Sequence, residues 1–132
     1  LAKRVLDIVK TCRKRETLPV VLGDLNVDSR GSQYDGSLDP LLRSRLLSDP
    51  FAQVPQTEKW THFYSSKRSV SRLDYILVDR DLEDSVAGTE VFRGGLSTKC
   101  PKKHYAGARI GTIEEDHLEA SDHCPVTVTL SL

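Results

Sequence analysis

The chain has 132 residues, 38% apolar and 29% charged, which suits one packed core and excludes a disordered or fibrous protein. Its 19 basic and 19 acidic residues cancel, so no whole-molecule field draws in a polyanion, and any nucleic-acid footprint must be local. No apolar run approaches the roughly 18 residues that cross a bilayer, and the first residues lack the succession of a secretory leader.

Leu1, Val5, Ile8, Val9 and Cys12 recur at helical spacing, which predicts an amphipathic surface helix. Lys3, Arg4, Lys10, Arg13, Lys14 and Arg15 fill its other face and last turn, where cations suit the helix dipole, and read as a solvated face. The opening on Leu1 inside this helix, together with the lack of Met, leads us to expect a piece of a longer polypeptide. Residues 18–22 form a continuous apolar run ending at Gly23, the pattern of a central strand buried on both faces. Asp24 and Asn26 follow at its exit.

Residues 28–37, rich in Asp, Ser and Gly, predict a loop. Asp39 as N-cap and Pro40 at the first helical position then predict a short helix to about Leu47. Residues 60–64 and 72–78 have strand character, with Leu73, Tyr75 and Leu77 on one face of the second strand and Asp74, Ile76 and Val78 on the other. Residues 65–71 read as a polar, basic turn between them, residues 88–92 as a short strand, and residues 93–111 as an irregular loop. At the end, Val126, Val128 and Leu130 alternate with Thr127, Thr129 and Ser131, which marks a strand with two unlike faces. Cys12, Cys100 and Cys124 show no paired spacing of a zinc site or disulfide framework, which favours a reducing compartment. Cys124 is expected to pack as a small hydrophobe.

Three segments at strand ends carry the chemistry: Gly23-Asp24-Leu25-Asn26, Arg72-Leu73-Asp74-Tyr75 and Ser121-Asp122-His123. Asp24, Asp74 and Asp122 are hard oxygen donors, and a carboxylate cluster without paired Cys suits Mg²⁺ or Mn²⁺ better than zinc. An imidazole such as His123 accepts a proton or, once charged, donates to a phosphate, and a carboxylate partner such as Asp74 would fix its tautomer. Asn26, two residues beyond Asp24, faces the same side in extended chain and offers an amide to a phosphate oxygen. The combination points to cleavage of a phosphoester.

These three segments, with Cys124-Pro125-Val126 after the last, resemble the signatures of the endonuclease/exonuclease/phosphatase superfamily, in wording closest to the apurinic endonucleases of the exonuclease-three type. The resemblance spans about residues 18–131 and follows the C-terminal half of that family. It implies an α/β fold, half of a four-layer sandwich with mixed sheets and flanking helices, forming a single domain or subdomain over residues 1–132. It further implies that Asp24 orients or deprotonates the attacking water, Asn26 holds the scissile phosphate, Asp122 and Asp24 serve a divalent metal, and Asp74 orients His123 against the transition state. Thr61 falls where many members carry a polar residue and, with Arg72, joins the substrate-binding candidates. The family's N-terminal half usually supplies an Asn and a metal-binding Glu; residues upstream in the same polypeptide would provide them, and the segment alone is expected to be inert.

Lys99, Lys102, Lys103 and His104 make a local basic stretch suited to a phosphate backbone or phosphorylated head group, and Lys102 and Lys103 are its substrate-binding candidates. The expected activity is a Mg²⁺- or Mn²⁺-dependent phosphodiesterase, foremost a nuclease acting on nucleic acid. A sphingomyelinase, a small-phosphoester phosphatase and a non-catalytic subdomain are the alternatives.

Overall fold

The computed structural model describes residues 1–132. It is an α/β arrangement of one long helix and short antiparallel sheets. Helix α1 spans Ala2–Lys14 and turns Ala2, Val5, Leu6 and Val9 inward, while Leu1 and Ile8 face water. The inward stripe is therefore rotated from the expected one, because the core partners, Leu41, Leu47 and Leu77, sit beside Ala2 and Val9. Arg13 also departs from the solvated face: its guanidinium pairs with the fully buried Asp79 and with Asp81 at 2.9 Å. Asp79 in turn accepts the Asp81 N–H at 3.0 Å and so caps a 3₁₀ helix over Arg80–Ser85. The bond to Asp79 and the nearby acids hold the Arg13 pKa above its ordinary value despite desolvation.

Strand β1 (Val20–Asp24) pairs antiparallel with β5 (Asp74–Asp79), which also pairs with β2 (Leu47–Ser48), so the order is β1-β5-β2. The expected central position belongs to β5. Strand β1 is an edge strand paired only with β5, and only one of its faces packs: Val21 lies against the core while Leu22, on the other face, is 69% exposed. The helix expected to reach Leu47 stops after one turn, α2 over Asp39–Leu42. Its continuation is overridden by tertiary pairing, since Leu47 and Ser48 lie opposite Asp79 and Val78. Strands β3 (His62–Tyr64) and β4 (Ser69–Ser71) form a hairpin, so the expected turn over 65–71 shrinks to 65–68, with Arg68 at φ +48°. Strands β6 (Val86–Val91) and β7 (Val126–Leu130) pair antiparallel, and β7 alternates in burial as its sequence predicts.

A second core gathers Trp60, Phe63, Leu96, Cys100 and Cys124. It draws in the irregular stretch 93–111, whose polar backbone is satisfied by arginines. Arg109 donates to the carbonyls of Ser97, Cys100 and Tyr105, and Arg93 stacks on Trp60 at 4.2 Å while donating to its carbonyl at 2.7 Å. Cys124 packs here as expected, and burial pushes its thiol up to about 12, offset only in part by Arg93. The unfolded thiol ionises near 9.0 and the folded one near 12, so through that window the unfolded state binds fewer protons. The Cys124 contribution to stability is thus full below pH 9.0 and lost as pH rises toward 12. Urea unfolding from pH 8 to 11 is expected to show a steeper loss for the parent protein than for Cys124→Ala; parallel slopes would refute the burial argument.

Candidate active site

The site forms where the end of β1, the start of β5, the start of β3 and the segment before β7 meet. In the β1–β5 ladder Asp24 lies directly opposite Asp74. Like charges facing each other across a ladder repel, so this register is favourable only with a cation or proton donor beside the pair. Gly23 precedes Asp24 at φ +144°, a conformation that L side chains rarely adopt, which makes glycine the residue suited to this strand end. The extended chain expected from Asp24 to Asn26 is replaced by a turn: the strand ends at Asp24, Asn26 sits in the left-handed region at φ +56°, tolerated by Asn, and its backbone N–H donates to Asp24 Oδ1 at 2.8 Å. That turn holds the Asp24 carboxylate at the strand end.

His123 supplies the proton donor. Its Nδ1 lies 2.9 Å from Asp74 Oδ2. A carboxylate only accepts, so Nδ1 carries the hydrogen and Nε2 is left free for a ligand or substrate. Thr61, almost fully buried, donates its hydroxyl to the same Asp74 oxygen at 2.7 Å and accepts the Leu73 and Asp74 backbone N–H groups, each at 3.1 Å. Thr61 therefore fixes the carboxylate that orients His123 and does not present its hydroxyl to solvent.

The segment carrying Asp122 and His123 is stitched to β3. Phe63 N–H donates to the Asp122 carbonyl at 3.0 Å, Cys124 N–H donates to the Thr61 carbonyl at 2.6 Å, and an isolated bridge joins His62 to His123. This brings in a residue that sequence reasoning treated only as part of a strand. The His62 side chain, 12% exposed, donates from Nε2 to Asp122 Oδ2 at 3.2 Å and accepts from the Ser71 hydroxyl at Nδ1, 3.0 Å away. Its ring stands 4.8 Å from that of His123. The signal available in the sequence was weak: a His next to Thr61 in a strand of otherwise aromatic character.

Two groups of possible ligands result, Asp24 with Asp74 and His123, and His62 with Asp122 and His123, each with its donor atoms within 4.8 Å of one another. Asp122 is 58% exposed, which leaves an oxygen open to a hydrated ion. The first group offers two carboxylates and one imidazole, a set that suits a hard divalent cation, whereas the second offers one carboxylate and two imidazoles.

The remaining candidates lie elsewhere. Arg72 is buried, with its guanidinium held bidentately by Asp49 at 2.7 and 2.9 Å and stacked 4.3 Å from the Tyr75 ring. Lys102 and Lys103 are exposed on their loop and form no ion pair or side-chain hydrogen bond with the carboxylates above. The basic stretch around them is smaller than its composition suggests, because Lys99 pairs with Glu115 and His104 Nε2 is used by the Arg68 carbonyl at 3.1 Å. No helix is long and apolar enough to cross a membrane. The family model described as Endonuclease/Exonuclease/phosphatase family matches residues 4–123 of the chain. No curated protein matches it.

Proposed function

This chain belongs to the endonuclease/exonuclease/phosphatase family, whose members are hydrolases acting on phosphoesters, and from that membership we propose that it cleaves phosphodiesters as a divalent-metal-dependent nuclease. The observation that carries the reading is the convergence of Asp24, Asp74 and His123, with donor atoms within 4.8 Å of one another and His123 donating to Asp74, a cluster able to hold a cation beside a phosphate. Asp24 and Asp122 would hold Mg²⁺ or Mn²⁺, which when bound supplies a Lewis acid for the phosphoryl and leaving oxygens.

The chain's own groups act around the phosphate as follows. Asp24, braced by the Asn26 N–H, orients and deprotonates the attacking water. The Asn26 amide donates to a non-bridging oxygen. Asp74, fixed by Thr61, accepts from Nδ1 of His123 and so aims Nε2 at the phosphate, where the ring, once protonated, donates to the charge that builds on phosphorus-bound oxygen. His62 keeps the Asp122 carboxylate in place. Lys102 and Lys103, exposed midway along the 93–111 loop region, offer backbone-phosphate contacts of the kind that position without reading sequence.

With the Asn- and Glu-bearing N-terminal half that the family resemblance implies supplied alongside this chain, hydrolysis of bis-nitrophenyl phosphate and duplex DNA is expected in Mg²⁺, to be abolished by EDTA and restored by excess Mg²⁺ or Mn²⁺. Hydrolysis that persists in EDTA overturns the metal assignment. Preference for sphingomyelin over DNA and RNA in parallel assays overturns the nuclease assignment and leaves the phosphodiesterase centre standing. Replacement of His62 by Ala is expected to raise the Mg²⁺ concentration for half-maximal rate by about 10- to 100-fold, the usual cost of removing a partner that orients a ligand. An unchanged metal requirement removes His62 from that role.

A further inference from the structure

A cavity of about 430 Å³ has Arg72, just before β5, in its wall but none of Asp24, Asp74, Asp122 and His123, and none of its lining side chains is apolar. Ser29, Arg30, Asp49, Gln56, Lys59 and Arg72 form its wall. Arg30 is engaged by Asp28 through Nε and Nη2, both at 2.9 Å, and Arg72 is engaged by Asp49. Those two carboxylates account for two of the three cations. Lys59 is left over: it is only 6% exposed, forms no ion pair, and uses one of its three N–H donors, on the Ala52 carbonyl at 2.9 Å. Burial lowers its pKa, and the positive charges of Arg72 and Arg30 lower it further against the opposing pull of Asp49.

A cation held in this way, next to two guanidiniums with donors to spare and a roomy polar space, is what an anion would complete. We propose that this cavity is an anion site for one phosphate group, bound by Lys59 with Arg30 and Arg72 and separate from the catalytic centre. The phosphate is either a free or terminal one or an internal diester of a nucleic-acid strand; the charge and donor geometry are common to both. Arg72 and Lys59 each lie two residues from a member of the Asp74–Thr61 pair, so the cavity shares two chain segments with the proposed active site.

The test is a titration of the protein in EDTA at matched chloride ionic strength, read by the Nε–H resonances of Arg30 and Arg72. One arm uses inorganic phosphate and the other a trithymidylate with hydroxyl ends, which carries internal diesters alone. Saturable shifts are expected, retained in His123→Ala and weakened about tenfold or more in Lys59→Gln, as the loss of a charged hydrogen bond requires. Shifts with inorganic phosphate alone identify a free or terminal phosphate; shifts with trithymidylate identify a strand phosphate. Absence of saturable shifts in both arms overturns the site, as does binding that survives Lys59→Gln or disappears in His123→Ala. Should Lys59→Gln not fold, the shifts of the parent protein and of His123→Ala decide alone. Because the readout requires no turnover, loss of the nuclease reading leaves this result intact.

Discussion

His123→Ala is expected to lower metal-dependent phosphodiester hydrolysis by about 10²-fold or more. In the proposed mechanism the protonated ring donates from Nε2 to the developing oxyanion while Asp74 holds Nδ1 at 2.9 Å, and electrostatic stabilisation of this kind is worth about 10²-fold or more. Alanine removes that donor. The substitution takes a partly exposed ring out of a polar junction, so far-ultraviolet circular dichroism and the unfolding midpoint should stay close to those of the parent. Asp74→Asn is expected to lose at least about 10²-fold, since an amide can present its NH₂ to the imidazole and select the wrong tautomer. Rates within a few-fold of the parent for both variants, measured at saturating Mg²⁺, would remove His123 and Asp74 from the mechanism.

Asp49→Ala is expected to have the largest effect on stability, a loss of about 3–5 kcal/mol. The carboxylate receives two hydrogen bonds from Arg72, whose side chain is only 5% exposed, and alanine would strand that guanidinium between Phe51 and Tyr75 without a counter-ion. For a chain of this size the unfolding temperature should fall by at least about 10 °C. The mechanism makes a second expectation that a simple packing loss does not. The double variant Asp49→Leu with Arg72→Met, which removes both charges and keeps the volume, should recover much of the loss. A single variant within about 1 kcal/mol of the parent, by urea unfolding, would show that solvent reaches the pair.

The family was legible because its chemistry lies in short, contiguous segments. Gly23 to Asn26, Arg72 to Tyr75 and Ser121 to Val126 each combine a residue type with a strand end, and none needs knowledge of a remote neighbour. Helix α1 and strands β5 and β7 were legible for a related reason, since a 3.6- or two-residue period is written along the chain itself. What failed depended on partners. Leu47 reads as the end of a helix until β5 offers it a ladder, and Arg72 reads as a free cation beside Asp74 until Asp49 claims it from 23 positions away. His62 carried no recognisable spacing, and its bond to Asp122 crosses 60 positions of sequence.

By itself, then, the sequence determined which polar groups this protein has for phosphate chemistry and on which strand ends they sit, because both follow from residue type and local period. Only the tertiary structure decided which carboxylate faces which, that Thr61 and His62 brace Asp74 and Asp122, and that Lys59 is buried without an ion-pair partner. Those outcomes rest on hydrogen-bond partners and burial supplied by segments distant along the chain, and a local pattern contains neither.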